Sequence, residues 1–212
     1  MAMLDSVLVL VLLLNFIALG ASRLRAVIYA ICCQGTFLGV MPLFVHKDIG
    51  VRVFLLVIAI VVVKGIVIPR MLIYAMREVS IRREVEPIVG LTSSLLLGAA
   101  GTGLAVVFAG TLPLDLEHRH SLIVPASMAT FLTGFILLTT RRKAISQAVG
   151  YLVLENGIFL FGLLLVEAMP FLLEVGVLLD LLVGIFVMGI IIHHMSREFS
   201  SQDTEHLSAL KE

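Results

Sequence analysis

The sequence is poor in the residues that metal, haem and disulfide sites require. It has no tryptophan and only two cysteines, Cys32 and Cys33, which are adjacent. Neighbouring cysteines bridge only with strain, and no spacing here matches a metal or haem motif. We therefore expect both to be small core residues. The six histidines lie in predicted loops, at span ends or in the tail, which argues against a haem held between spans. The sequence predicts no cofactor and no metal site.

Charge is also scarce. Charged residues make up 14% of the 212 residues, and 15 basic and 15 acidic side chains give a formal net charge of zero. This balance gives no argument for a nucleic-acid partner. No phosphate loop and no nucleophile–base pair is present, so the sequence names no catalytic residue and leaves open whether the chain is part of an enzyme. The N-terminus carries Asp5 in place of a basic region, and we expect it to be kept as a first span.

Apolar residues are what the chain has in excess. They make up 60% of the sequence, against roughly 45–50% in soluble domains, and the mean hydropathy is +1.13. Run lengths favour helices over barrel strands. The sequence predicts an all-α integral membrane protein, 1–212 forming a single membrane domain in the lipid bilayer. Seven transmembrane helices are expected, at about 3–21, 26–45, 51–76, 88–111, 121–140, 145–167 and 171–194.

The basic residues predict an orientation. Eleven of the fifteen lysines and arginines lie near the odd-numbered loops or in the tail, three lie near even-numbered loops, and Lys64 lies inside a span. Cytoplasmic loops are enriched in lysine and arginine. We therefore expect the N-terminus outside and the C-terminus in the cytoplasm, in a multi-pass protein of the cytoplasmic (inner) cell membrane.

Three ionisable residues lie near the middle of predicted spans: Lys64, Glu155 and Asp180. A charge at the bilayer centre costs at least ~2.5–3.5 kcal/mol on insertion scales. Pairing, a hydrated cavity or a neutral protonation state offsets such a cost. All three are typical of proteins that move protons or ions, so these residues are the candidate translocation site.

Lys64 lies about thirteen residues from either end of its span, too far for its ammonium group to reach the interface. It either pairs with a buried carboxylate or exchanges its proton. Pro69 removes one backbone hydrogen bond and predicts a helix break, which frees a carbonyl near Gly65 and Lys64. The break is either a packing kink or a hydrated bend beside the lysine.

Glu155 and Asp180 are candidate proton carriers, because burial disfavours the charged form of a carboxyl. Glu155 could instead make a helix–helix hydrogen bond together with Asn156. Asp180 shares a helix face with Gly176 and Gly184, which predicts that it faces protein or water. Glu174 lies nearer the outer end of its span and is an interfacial or entrance group. Two uncharged residues inside spans, Asn15 and Gln34, are predicted to be interhelical hydrogen-bond partners.

These features resemble the component E family of hydrogenase-4-type membrane-bound (group 4) hydrogenase complexes. The resemblance rests on VVVKGIVIPRMLIYAMRE in the third span, VGYLVLENG in the sixth, LLEVGVLLDLLVGIFVMGI in the seventh and HLSALK in the tail. It covers almost the whole chain in length and span order. It implies a non-redox membrane subunit of a respiratory complex, with catalysis in partner subunits.

The last three spans are also similar to the small K-type subunit (NuoK) of respiratory complex I and to the C-type subunit of Mrp antiporters. Glu155 falls at the first carboxylate of that family, and Asp180 falls at the second, where the family usually has Glu. The asparagine spacing departs from the family pattern, since Asn156 follows Glu155 directly. The resemblance implies a lateral chain of protonatable groups, antiporter-like partner subunits, a four-helix N-terminal part over 1–111, a NuoK-like three-helix part over 121–195 and a cytoplasmic tail over 196–212.

The sequence therefore predicts a membrane subunit of a respiratory hydrogenase complex that contributes to proton or ion translocation through Lys64, Glu155, Asp180 and Glu174. Two other functions stay open. A stand-alone small ion transporter would be expected to show repeats and helix breaks in both halves, and only the third span has a break. A scaffold subunit would use the same charges only to fix helix register.

Overall fold

The computed structural model describes residues 2–45, 51–78, 87–112 and 122–163, together with the single positions Gly184 and Gly189. Within these ranges the chain is helical and contains no strand. A π-helix over Val63–Val67 joins α4 to α5, so that the three form one continuous helix. The α-helices are α1 (Ala2–Gly20), α2 (Leu24–Val40), α3 (Pro42–Val45), α4 (Val51–Val62), α5 (Ile68–Glu78), α6 (Leu91–Thr111), α7 (Ile123–Thr140) and α8 (Ala144–Gly162).

Five helical stretches are long and apolar enough to cross a membrane: Leu24–Phe44, Val57–Met76, Leu91–Thr111, Ile123–Thr140 and Ile145–Gly162. A shorter apolar helix, Leu4–Gly20, precedes them. The predicted all-helical fold with several apolar helices is confirmed for the described part of the chain. The seventh span, predicted over 171–194, lies outside the described residues, and the total of seven stays a prediction.

Helices α1 and α7 run parallel. Asn15 in the second half of α1 bonds Thr130 in α7, and Leu19 near the end of α1 bonds Arg141 just after α7. The first and fifth spans must run in the same direction if each helix between them crosses the bilayer once. The geometry agrees with an even number of crossings between the starts of these two helices.

Helices α7 and α8 form a close antiparallel hairpin. Glycines allow backbones to approach because they carry no Cβ. A Cβ added at Gly150 would lie 2.5 Å from the backbone nitrogen of Leu138, and one added at Gly157 would meet the backbone of Phe131. Gly134 meets the backbone of the facing helix in the same way. These three positions fix the register of the hairpin.

The connections that carry most of the basic residues meet at one end of the bundle. The side chain of Arg141, between α7 and α8, donates from Nη2 to the Leu19 carbonyl at 3.0 Å. Pro87, just before α6, forms an isolated antiparallel bridge with Arg141, and the Ile88 N–H donates to the Thr140 carbonyl at 2.8 Å. The first, third and fifth loops therefore share one side of the bundle. The side of the membrane on which that end lies stays a prediction.

The apolar core is divided into two clusters. The first lies toward the Arg141 end, and the second lies toward the opposite end. On α1, for example, Leu19 belongs to the first cluster and Leu8 to the second. The same division holds on α2, on the helix that contains the π-helix, on α7 and on α8. The candidate site lies in the layer between the two clusters.

Candidate functional site

A layer of buried polar side chains crosses the bundle between the two apolar clusters. Each of five helices contributes to it near mid-length, and every member is at most 6% exposed. The members that hydrogen-bond to one another are Asn15 on α1, Gln34 on α2, Lys64 in the π-helix, Thr130 on α7 and Asn156 on α8. We call this set the polar layer. Buried polar groups are costly unless they are paired, so the pairing decides what the layer does.

The polar layer is one continuous chain of hydrogen bonds. Lys64 Nζ donates to Asn156 Oδ1 at 3.0 Å, and Asn156 Nδ2 donates to Gln34 Oε1 at 3.3 Å. Gln34 Nε2 donates to Asn15 Oδ1 at 2.8 Å, and Asn15 Nδ2 donates to Thr130 Oγ1 at 2.9 Å. The prediction that Asn15 and Gln34 are interhelical hydrogen-bond partners is therefore confirmed. Every bond points the same way, from the lysine toward the threonine.

Lys64 is held by a close helix contact. A Cβ added at Gly35 on α2 would lie 2.9 Å from Lys64 Cβ, so glycine is what lets α2 approach the lysine stem. The ammonium nitrogen lies 5.3 Å from the centroid of the Phe159 ring, a distance at which an aromatic face attracts a cation. Lys64 is 6% exposed. The charged end of this side chain therefore lies among protein groups.

The helix break predicted at Pro69 coincides with an irregularity of the helix. The π-helix Val63–Val67 directly precedes α5, and the Ile68 N–H donates to the carbonyl of Val63, five residues back. Pro69 has no N–H to offer the Gly65 carbonyl four residues earlier. Cys32 Sγ on α2 instead donates to that carbonyl at 2.9 Å. The thiol therefore links α2 to the backbone of the lysine helix beside Lys64.

The two cysteines therefore differ from their predicted role as small core residues. Both thiols are free; Cys32 is partly buried, and Cys33 is exposed. The prediction is wrong for Cys33, because that position faces outward from α2. The hydrogen bond from Cys32 to Gly65 could not be predicted from the sequence, since its partner lies on another helix.

Glu155 lies in the same layer as Lys64. It is 6% exposed, and its Oε2 atom is buried without a hydrogen-bond partner within the described residues. Asn156, the next residue, bonds Lys64 directly, and Phe159, one helical turn later, lies under the ammonium group. Residues i and i+4 are neighbours on a helix surface. The structure thus brings Glu155 and Lys64 to one region of the bundle, on different helices.

Two predicted site residues, Asp180 and Glu174, lie outside the described residues. The sequence does not single out Thr130, although this residue ends the hydrogen-bond chain. It is one of several hydroxyl residues along α7, and spacing alone does not distinguish it from Ser127 or Thr133. Asn156 stands out in the sequence only as a neighbour of Glu155, yet it is the residue that contacts Lys64.

Comparison with known proteins gives relatives that span most of the chain. The uncharacterized protein Rv0085 of Mycobacterium tuberculosis (strain ATCC 25618 / H37Rv) is 35% identical over 193 residues, which cover 89% of this chain and 87% of that protein. Hydrogenase-4 component E of Escherichia coli (strain K12) is 25% identical over 150 residues, which cover 71% of this chain and 69% of that protein. Hydrogenase-4 component E of Shigella flexneri matches equally well. No family model matches the chain, and no solved structure matches it significantly.

Proposed function

We propose that this chain, which belongs to the same family as the Mycobacterium tuberculosis protein Rv0085 and is a distant homologue of hydrogenase-4 component E, is an integral membrane subunit of a hydrogenase-like respiratory complex. Its apolar helices support a multi-pass protein, for which the proposed location is the cell membrane. Its partners are other membrane subunits of that complex, including antiporter-like subunits. The redox chemistry belongs to the partners.

Within the complex, the chain contributes to proton or ion translocation through Lys64 and Glu155. The observation that carries this role is the burial of both ionisable side chains between the two apolar clusters. Lys64 belongs to the polar layer, and Glu155 directly precedes its member Asn156. A purely structural layer could be built from amides and hydroxyls alone. Two titratable groups at mid-membrane depth add an insertion cost that a proton-carrying role explains.

The two groups have complementary surroundings. Lys64 has an amide oxygen and an aromatic face beside its nitrogen, both of which favour the ammonium form. Glu155 has a buried carboxyl oxygen without a hydrogen-bond partner in the described part of the chain. A buried amine and a buried carboxyl group in one region of the bundle are two kinds of group that can carry a proton.

The path is proposed to continue through Asp180 and Glu174 in the C-terminal part. This extension rests on the resemblance that the sequence suggests between 121–195 and NuoK or the C-type subunit of Mrp antiporters. We propose 1–111 as an additional four-helix part and 196–212 as a cytoplasmic tail. Asp180 would take the place of the second carboxylate, and Glu174 would be the entrance group. The helix break at Pro69 would give the lysine helix local freedom beside the path.

The translocation role is tested by Glu155→Gln, Lys64→Met and Asp180→Asn in membrane vesicles that hold the assembled complex. Each change removes one titrating proton and keeps a similar side-chain volume. We expect assembly to persist and the pH gradient formed per electron transferred to fall several-fold. Asp5→Asn is the matched control, since Asp5 lies outside the polar layer and touches the Leu122 N–H at 3.4 Å, a contact that an amide oxygen can also accept.

The same experiment separates the alternatives. If all three variants assemble and pump like wild type, the chain is a scaffold subunit and the translocation role fails. Affinity purification of the tagged chain tests the complex itself. We expect other membrane subunits to be recovered with it, whereas a stable, transport-competent chain without partners would identify a stand-alone transporter.

A further inference from the structure

The uncharged members of the polar layer form a hydrogen-bond chain that extends well beyond the direct contact with Lys64. Asn15, Gln34 and Thr130 are linked to Lys64 through Asn156, and they continue the chain that begins at its nitrogen. A single acceptor would be enough to satisfy the NH₂ group of Asn156. The chain instead extends over three further helices, α1, α2 and α7. The alignment of the bonds indicates what they do.

An amide can face a neighbour with its oxygen or with its NH₂ group. Gln34 fixes the orientation of the Asn156 amide. Its Oε1 accepts from Asn156 Nδ2, so Asn156 Oδ1 faces Lys64. At Gln34 the choice is made by Asn15 Oδ1, which accepts from Gln34 Nε2. Thr130 Oγ1 accepts from Asn15 Nδ2 and fixes the last amide. Each member therefore sets the orientation of the next.

The resulting orientation suits an ammonium group. Lysine in its charged form has three donors and no acceptor, so it can pair with the oxygen of an amide but not with its NH₂ group. Hydrogen bonds with a charged partner are stronger than neutral ones, and bonds arranged head to tail polarise one another. All three amides direct an oxygen along the chain toward the positive charge. The far end of the chain, at Thr130, is thus connected to Lys64 through an unbroken series of hydrogen bonds.

We propose that Gln34, Asn15 and Thr130 are positioning residues for Lys64: they hold the Asn156 oxygen on its nitrogen, favour its protonated form, and set the pH at which it exchanges a proton. The inference rests on the translocation role proposed for Lys64. Lys64 lies against α2 and α8. At the level of the polar layer, within the described residues, the other ionisable groups on these helices are Cys32 and Cys33 on α2 and Glu155 on α8. The Cys32 thiol is bonded to the Gly65 carbonyl.

The test is the pH profile of pumping in vesicles that hold the assembled complex with Gln34→Leu or Thr130→Val. Loss of the aligned amides makes the ammonium form less favourable, so Lys64 gives up its proton at lower pH. We expect the alkaline limb of the profile to move down by roughly 0.5–1 pH unit, the effect of losing one ordinary hydrogen bond. Gln34→Leu should shift it more than Thr130→Val, because Gln34 contacts Asn156 directly.

Two further variants separate positioning from packing. Thr130→Ser keeps the hydroxyl and should restore the wild-type profile. Ser127→Ala is the matched control one turn away on α7, because its buried hydroxyl bonds only to the Val124 carbonyl at 2.8 Å among the described contacts and does not join the chain. An unshifted profile in assembled Gln34→Leu would overturn the proposal. Failure of both Gln34→Leu and Thr130→Val to assemble would also overturn it, since the chain would then serve to hold helices together.

A second readout does not depend on pumping. The fall in melting temperature caused by Lys64→Met is measured in the wild-type complex and in the Gln34→Leu complex. If Gln34 acts through Lys64, the fall should be smaller by about 2 °C or more in the second background. Additive shifts would refute the positioning role. Normal pumping by Lys64→Met would instead refute the translocation role of Lys64. It would not affect a measured dependence of the melting-temperature change on Gln34.

Discussion

At the scale of single residues, Arg141 is a buried basic side chain outside the polar layer. Its side chain is 1% exposed, Nη2 bonds the Leu19 carbonyl, and Nη1 has no partner within the described part of the chain. Burial lowers the pKa of the Arg141 guanidinium from its ordinary value, although arginine stays charged in proteins. Cations near a helix C-terminus are stabilising. The Arg141 side chain therefore links the end of α1 to the α7–α8 connection. It is also one of the basic residues from which the orientation in the membrane is predicted.

Arg141→Ala should destabilise the protein by about 1–3 kcal/mol, because it leaves the Leu19 carbonyl without this donor and opens a space in the bundle. Arg142→Ala removes the same charge from the exposed neighbour and should change stability by no more than about 0.5 kcal/mol. Melting temperatures of the two variants in detergent give the comparison. Equal effects would mean that charge, and not the buried bond, is what matters at this connection.

Residue-level prediction succeeded where hydropathy alone decides the outcome. Asn15 and Gln34 interrupt apolar runs, so their burial and interhelical hydrogen bonding could be predicted from the sequence. For Lys64 and Glu155 the burial could be predicted. Which of these four residues would meet could not, because partners depend on the rotation and depth of each helix. Thr130 illustrates the limit, since hydroxyl residues are tolerated at many positions in a membrane helix and only packing against α1 selects this one.

At the scale of elements, two local devices set the geometry of the site. The π-helix directly before Pro69 changes the backbone hydrogen bonding within the continuous lysine helix, and the proline draws attention to this stretch in the sequence. The hydrogen bond from the Cys32 thiol to the Gly65 carbonyl could not be predicted, because Cys32 comes from a different helix. The second device is the set of glycines at the α7–α8 contact, which hold Asn156 and Glu155 at their depth in the bundle.

Gly157→Ala should destabilise the hairpin by about 2 kcal/mol or more, since the new methyl group would meet the backbone of Phe131 and the helices would have to separate. Gly103→Ala is the matched control on α6, where an added Cβ meets nothing within 4 Å. There the change should be neutral or stabilising by up to about 1 kcal/mol, because alanine is the better helix former. A melting-temperature comparison decides between them, and similar shifts would show that the close backbone contact at Gly157 does not govern the hairpin.

At the scale of the whole molecule, loop charges and helix packing lead to the same arrangement by independent routes. The charges predict that the first, third and fifth loops share one side of the membrane. The bonds of Leu19, Ile88 and Arg141 bring those three connections together at one end of the bundle. Sequence could predict this grouping because topology signals act on each loop separately. It could not predict the division of the core into two clusters with a polar layer between them, which depends on all the helices being in register.

The orientation itself can be tested at two described, exposed positions at opposite ends of the bundle, Ser22 after α1 and Thr111 at the end of α6. In a background of Cys32→Ser and Cys33→Ala, a cysteine at each position reports the side on which it lies. Because the first loop is basic and the loop after α6 is not, Thr111→Cys should react with a membrane-impermeant maleimide in intact cells. Ser22→Cys should react only after permeabilisation, and a permeant reagent should label both. The reverse pattern would place the basic end outside, and labelling of both positions in intact cells would mean that α2, the lysine helix and α6 do not each cross the membrane.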